Sequence, residues 1–135
     1  IDLLETEGLD NVYARHHRLA EGVRRAVAAW GMTPYAKTPD IYSDTVTAVK
    51  VPEGCNGTDL VQLAATKYGM AFGVGLGEVA GKVFRIGHLG MLTEAMVLSG
   101  LCVAEMCMIC HGAENLFIIT VLLVVPLMQD SYRLF

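Results

Sequence analysis

The stretch that most constrains the fold is residues 73–90, where a glycine-rich loop leads into a short apolar segment with one arginine at its centre. In an extended segment, successive side chains point to opposite faces of a sheet. One face of this predicted strand therefore carries Phe84, Ile86 and His88, and the other carries Val83, Arg85 and Gly87. The pattern predicts a strand with one face in a core and an arginine projecting from the other.

Arg85 is the candidate binding residue of this strand. A guanidinium stays protonated in proteins, and burying it without an anion is costly. Its planar fork binds a carboxylate or a phosphate through two parallel hydrogen bonds, which lysine cannot reproduce. Residue type alone favours a structural pair between Arg85 and an Asp or Glu of the same protein, and an anionic ligand is the alternative. The glycines do not decide between them, because the dinucleotide fingerprint requires a helix after the glycines and here a strand follows.

Several segments resemble one enzyme family. Residues 81–90, Gly-Lys-Val-Phe-Arg-Ile-Gly-His-Leu-Gly, and the Met-Leu-Thr-Glu-Ala-Met that follows are similar to the late part of serine–glyoxylate aminotransferases. These enzymes are relatives of alanine–glyoxylate aminotransferase among the class V pyridoxal-phosphate enzymes. Residues 15–20, 42–49 and 51–54 also resemble that family and occur in its order. The resemblance covers about residues 1–106.

The resemblance implies a function for Arg85. In this family the arginine that Arg85 matches binds the α-carboxylate of the substrate, which reverses the preference for a structural pair. The enzymes move an amino group from serine or alanine to glyoxylate, using pyridoxal phosphate held as a Schiff base on a lysine. That lysine lies in a larger, earlier domain, and none of the four lysines of this chain matches it: Lys37, Lys50, Lys67 and Lys82.

The resemblance therefore predicts the small C-terminal domain of a fold-type I pyridoxal-phosphate enzyme. This domain would contribute Arg85 and no catalytic residue, and the missing large domain would bind most of the cofactor. The complete enzyme is expected to be a homodimer whose substrates are small amino acids and 2-oxo acids. Gly75 and Gly77 are candidates for pocket backbone, although turn geometry explains glycines more often. His88 is expected to pack or to form a local hydrogen bond.

Periodicity and turn signals predict an α/β fold, with helices on one side of a short, mostly antiparallel sheet. The predicted elements are a helix from Asp10 to Gly31, a strand over 45–51, a helix from Asn56 or Thr58 to Gly69, a strand over 70–74, the Arg85 strand and a helix capped by Thr93. Residues 1–8 would be the tail of a preceding segment. The charged face of the first helix, which includes Arg24, is expected to be solvated.

Composition excludes several classes of protein. The net charge is −4 and no cluster of lysine and arginine is present, which argues against nucleic-acid binding. Apolar residues make up 53% of the chain, so disorder is not expected.

Residues 116–128 form an apolar run too short to span a bilayer, which needs about 20 residues. No signal peptide is recognisable, which predicts a cytoplasmic protein with reduced cysteines. The first residue is Ile1, which hints at a fragment or a processed product.

The last part of the chain departs from the family pattern. Cys107, Cys110 and His111 form the C-x-x-C-H pattern of c-type haem attachment, and Cys102 would complete a set of zinc ligands. The preferred interpretation is that these cysteines are thiols at the end of a helix. Haem is attached after a protein is exported, and this chain shows no export signal. Helical spacing would spread the four zinc ligands around the helix axis. Residues 107–135 are interpreted as a divergent tail, which is either the product of a shifted reading frame or a genuine but divergent buried strand. A stand-alone carboxylate-binding module is the alternative to an aminotransferase segment.

Overall fold

The computed structural model of the chain describes residues 1–110. Its helices are α1 Asp2–Glu7, α2 Leu9–Ala29, α3 Gly57–Tyr68 and α4 Glu94–Cys110, and its strands are β1 Val46–Lys50, β2 Gly73–Val74 and β3 Val83–Gly87. Two single-turn 3₁₀ helices lie in the connections, at Pro39–Ile41 and Gly77–Val79. The apolar run over 116–128 lies outside the described residues. Within them, no helix is long and apolar enough to cross a membrane.

The three strands form one antiparallel sheet in the order β1, β3, β2. The strand that carries Arg85 is therefore central, paired with β1 on one side and with β2 on the other. The segment before β1 extends the sheet, because Pro34 bridges Val49 and the backbone N–H of Tyr35 donates to Ala48 at 2.8 Å. Helices and a short antiparallel sheet confirm the predicted α/β class.

Alternation along the strands separates a core face from an open face. Phe84 and His88 are fully buried and Ile86 is 5% exposed, whereas Arg85 is half-buried and Gly87 is exposed. On β1 the buried residues are Thr47 and Val49. The core face packs against a cluster contributed by α2, α3 and α4: Leu19, Val23, Ala26, Val27, Trp30, Leu60, Ala64, Val97, Leu101, Val103, Ala104, Cys107 and Met108. The predicted alternation of burial holds over residues 84–88, whereas Val83, predicted on the Arg85 face, is 2% exposed because the loop at Gly75 packs against it.

Helix ends follow local capping chemistry where a suitable side chain is present. The Asn56 side chain accepts a hydrogen bond from the Thr58 N–H at 2.8 Å, and Gly69 ends α3 in the left-handed conformation that glycine adopts at low cost. The Thr93 hydroxyl accepts from the Met96 N–H at 3.3 Å, as predicted for the cap of α4.

The start of the first long helix was predicted incorrectly. Helix α2 begins at Leu9, with Gly8 at the cap position and a φ of 82°, so that Asp10 lies inside the first turn. A carboxylate there still favours the helix, because it faces the positive end of the helix dipole. Residues 2–7 form the separate helix α1, which Gly8 divides from α2.

The strand predicted over 70–74 is only two residues long, Gly73–Val74. The loop after it turns sharply at Gly75, where an added Cβ would lie 2.2 Å from the carbonyl oxygen of Val79. Gly57 is similarly confined, because its added Cβ would lie 2.5 Å from the carbonyl oxygen of Val83. These glycines let the loop and α3 pack directly against β3.

Replacing Phe84 by alanine should destabilise the fold by about 3–5 kcal/mol, because the ring is fully buried and its removal leaves a cavity. Leu76→Ala is the matched control, since that side chain is 65% exposed. Its effect should stay within about 0.5 kcal/mol. Urea denaturation of both variants measures the difference. Equal losses of stability would contradict the placement of Phe84 in the core.

Candidate functional site

The open face of the sheet presents Arg85 among small residues. In the strand register Arg85 pairs with Ala48 on β1 and with Gly73 on β2. Gly87, two residues along β3, lies on the same face and has no side chain. Arg85 therefore has a longer side chain than either of its register partners.

The guanidinium is held by the backbone at one nitrogen. Its Nε donates a hydrogen bond to the carbonyl oxygen of Val74 at 3.0 Å. Within residues 1–110, no carboxylate forms a salt bridge with Arg85, although five other ion-paired arginine and histidine side chains are present: Arg15, His17, Arg18, Arg24 and Arg25. The described part of the chain therefore offers no structural Asp or Glu partner for Arg85.

Arg85 lines a cleft of about 200 Å³ on the open face. The floor is formed by β1, and the wall is formed by the segment that precedes it. The other lining residues are Arg24, Pro34, Tyr35, Ala36, Ile41, Tyr42, Ser43, Val46, Thr47 and Ala48. A mostly apolar cleft with a cationic group at its edge suits a small molecule that carries one carboxylate.

Arg24 is the second arginine of the cleft, and its charge is already compensated. It is 9% exposed and donates hydrogen bonds to Glu21 at 2.9 Å, Asp44 at 3.2 Å and the Ser43 carbonyl at 3.2 Å. Its guanidinium also lies 5.5 Å from the centroid of the Tyr42 ring. The expectation that this residue belongs to a solvated helix face was wrong. Arg24 instead ties α2 to the wall of the cleft, a role that only the tertiary contact with residues 42–44 reveals.

The environment of Asp44 favours its ionised form. Burial raises the pKa of the Asp44 carboxyl, but hydrogen bonds from His17 at 3.0 Å and Arg24 at 3.2 Å outweigh that effect. The pKa is therefore lower than usual for an aspartic acid. The ionised carboxylate keeps residues 43–45 attached to α2, directly beside the start of β1.

His88 connects the ends of β1 and β3 from the buried side. Its Nδ1 lies 3.0 Å from the Asp44 carbonyl oxygen, to which it donates, and its Nε2 accepts from the Thr47 hydroxyl at 2.9 Å. Burial lowers the pKa of the imidazole, and the hydrogen bond to the Asp44 carbonyl offsets this only in part. The ring therefore stays neutral and packs, as expected from the sequence.

The loop after β3 is attached to α2 at Gly90. His16 donates from Nδ1 to the Val12 carbonyl at 2.7 Å, so its Nε2 is available to accept from the Gly90 N–H at 3.0 Å. Arg15 donates to the Gly90 carbonyl at 2.7 Å and forms a salt bridge with Glu7. The strand that carries Arg85 is thus fixed at its C-terminal end by two side chains of one helix.

Gly75 and Gly77, the candidates for pocket backbone, do not line the Arg85 cleft. Gly75 is buried against Val79 and Val83, and Gly77 has a φ of 56°. Local packing and backbone conformation account for both glycines. Their participation in a larger site stays a prediction.

Cys102 and Cys107 lie within α4, and Cys107 is buried. Burial, together with the charge of Glu105, raises the pKa of the Cys102 thiol. Among residues 1–110, no cluster of three His, Cys, Asp or Glu side chains could hold a metal ion. His111 lies outside the described residues, so the haem and zinc alternatives stay untested.

Comparison with known proteins identifies relatives of this chain. It is 62% identical over 102 residues to L-aspartate–glyoxylate aminotransferase of Paracoccus denitrificans, covering 76% of this chain and 26% of the relative. It is 56% identical over 114 residues to serine–glyoxylate aminotransferase of Hyphomicrobium methylovorum, covering 84% and 28%. No protein-family model matches the chain. The chain spans about a quarter of the length of these curated relatives.

A solved structure shows the same fold. Pyridoxamine–pyruvate aminotransferase from Mesorhizobium loti aligns with a TM-score of 0.78 at 30% identity, covering 96% of this chain and 33% of that chain. The resemblance to aminotransferases stated from the sequence is therefore confirmed by sequence similarity and by fold.

Stability should fall as the pH drops below about 6.5, the usual pKa of histidine. The unfolded chain then binds a proton at His88 that the folded chain excludes, and the free energy of unfolding decreases down to the lowered pKa of the folded state. Denaturant unfolding of the wild type and of His88→Gln at pH 7.5, 6.5 and 5.5 tests this. We expect the decrease between pH 6.5 and 5.5 to be smaller in the variant. An equal decrease in both proteins would contradict the assignment to His88.

Proposed function

The chain is homologous to a segment of the serine–glyoxylate aminotransferases, and we propose that it supplies the substrate-binding arginine of a pyridoxal-phosphate-dependent aminotransferase. The proposed reaction transfers an amino group from a small amino acid, serine or alanine, to glyoxylate. Arg85 would bind the α-carboxylate in the cleft beside β1. The supporting observation is that Arg85 projects into this cleft with no salt-bridge partner among residues 1–110.

The contacts of Arg85 suit a carboxylate ligand. Because Nε is engaged by the Val74 carbonyl, the two terminal nitrogens are the groups able to form a pair of parallel hydrogen bonds. Amino acids and 2-oxo acids both carry a carboxylate next to the reacting carbon. One arginine can therefore hold the donor and the acceptor in the same orientation, which fixes the distance between the reacting carbon and the cofactor.

In our proposal, no lysine of this chain anchors the cofactor. All four lysines are exposed and none of them lines the Arg85 cleft. Pyridoxal phosphate, when bound, supplies the electron sink for the transfer. In our proposal the anchoring lysine belongs to the part of the enzyme that the relatives have and this chain does not span. The proposed division is a small C-terminal domain over residues 1–106 followed by a divergent tail over 107–135.

The complete enzyme is proposed to be a cytoplasmic homodimer acting on small amino acids and 2-oxo acids. The choice between serine, alanine and aspartate as donor does not follow from Arg85, because all three carry the same α-carboxylate. The names of the relatives include both serine and aspartate as donors. Donor preference must therefore come from groups that contact the amino-acid side chain.

Arg85→Lys, introduced in the complete gene product with pyridoxal phosphate, should raise the KM for the amino acid by roughly 10- to 100-fold. The loss corresponds to about 1.5–3 kcal/mol for a charge-assisted hydrogen-bond pair that lysine cannot reproduce. The absorption spectrum of the bound cofactor should change little. Steady-state kinetics and a cofactor titration measure the two effects separately.

Arg25→Lys is the control for this experiment, because Arg25 is 49% exposed and its ion pair with Glu21 is at 3.7 Å. Its kinetic constants should remain within about twofold of the wild type. Unchanged kinetics for Arg85→Lys would remove Arg85 from the substrate site and with it the proposed function.

Borohydride reduction of the complete gene product in the presence of pyridoxal phosphate should label a lysine outside residues 1–135. The reason is that all four lysines of this chain are exposed and none of them lines the cleft: Lys37, Lys50, Lys67 and Lys82. Peptide mass mapping identifies the labelled residue. Stoichiometric labelling of one of these four lysines at low cofactor concentration would contradict the proposal. If the gene encodes only this chain and the protein binds no cofactor, the stand-alone carboxylate-binding module is favoured.

A further inference from the structure

We infer that Gly73 positions Arg85 by leaving the space across which the arginine side chain lies, an inference that rests on the proposed function of Arg85. Gly73 is the register partner of Arg85 on β2. A Cβ added at Gly73 would lie 3.0 Å from the Arg85 Nε, 3.1 Å from its Cβ and 3.4 Å from its Cζ. The side chain of Arg85 therefore passes directly over the position that any other residue at 73 would occupy.

Space is the reason for glycine here, and backbone conformation is not. Gly73 is absent from the glycines of positive φ in residues 1–110, so an L-amino acid could adopt its backbone angles. Several other glycines of the chain do have positive φ, among them Gly77 and Gly81 near the same loop. At Gly73, the feature that a substitution would disturb is the position of the arginine.

The adjacent residue completes the positioning. The Val74 carbonyl accepts a hydrogen bond from the Arg85 Nε at 3.0 Å, which keeps the guanidinium beside β2. We infer that Gly73 and Val74 together set the direction of the guanidinium, which leaves its two terminal nitrogens for the carboxylate. A methyl group at 73 would displace the arginine side chain by a few tenths of an ångström, and a larger side chain would displace it further from the Val74 carbonyl. Displacement of a substrate-positioning group by about 1 Å can cost up to about 100-fold in activity.

Gly87 provides a matched control on the same face. It lies two residues from Arg85 on β3, is exposed, and would meet no atom within 4 Å with an added Cβ. It also lies outside the lining of the Arg85 cleft and is not a glycine of positive φ. The same glycine-to-valine change at 73 and at 87 therefore adds the same side chain beside Arg85, with contact to the arginine expected only at 73.

The test measures KM for the amino acid and for glyoxylate in the complete holoenzyme. Gly73→Val should raise both KM values by about tenfold or more, because donor and acceptor share the carboxylate contact. Gly73→Ala should raise them by about threefold, since a single methyl group displaces Arg85 by a few tenths of an ångström. Gly87→Val should change them by no more than about twofold. The absorption spectrum of the cofactor should be the same in all variants.

A double-mutant cycle separates positioning from a loss of folding. If Gly73 acts through Arg85, adding Gly73→Val to Arg85→Lys should cause less than about one third of its effect in the wild-type background. An undiminished effect in that background, or equal effects at 73 and 87, would overturn the inference. If Gly73→Val does not fold, Gly73→Ala carries the same comparison.

The two proposals fail in different ways. A normal response to Arg85→Lys with no response to either Gly73 variant would overturn the positioning role alone. No response to Arg85→Lys would overturn both, because Gly73 would then have no substrate-binding residue to position.

Discussion

The structure depends on the placement of one guanidinium that cannot lose its proton. Such a group needs hydrogen-bond acceptors or an anion, and a hydrophobic core supplies neither. Strand β3 meets this requirement by alternation, with Phe84, Ile86 and His88 in the core and Arg85 on the open face. Since β3 is the central strand, its neighbours on both sides define how the arginine is held. The position of Arg85 is therefore a property of the whole sheet.

Two histidine side chains fix the C-terminal end of β3, the strand that carries Arg85. His88 joins β3 to the start of β1 through the Asp44 carbonyl and the Thr47 hydroxyl. His16 joins α2 to the loop after β3 through Gly90. In each ring one nitrogen donates and the other accepts, and only the uncharged imidazole can do both. Arg24, the other arginine of the cleft, is paired with Glu21 and Asp44, whereas Arg85 has no salt bridge within residues 1–110.

Local signals in the sequence predicted much of this arrangement. Alternation around Arg85, the cap at Asn56 and the glycine that ends α3 depend on neighbouring residues, and the structure has them as expected. Features that depend on distant residues could not be predicted in this way. The burial of Arg24 requires Asp44 and Ser43, and the importance of Gly73 requires the register of β2 against β3. The incorrect helix start at Asp10 has a local cause. An acidic residue can cap the start of a helix, but here Gly8, with its positive φ, lies at the cap position and separates α1 from α2.

The brevity of β2 has a consequence for association between molecules. An edge strand exposes unpaired backbone groups to which another extended chain can add, and long flat edges favour aggregation. Here β2 has two residues and is followed by a sharp turn at Gly75, so that edge offers a template too short for stable strand addition. Gly73, which leaves space for the arginine, and Gly75, at which the chain turns away, thus lie two residues apart on this side of the sheet. A binding face and a protected edge are obtained from the same few residues.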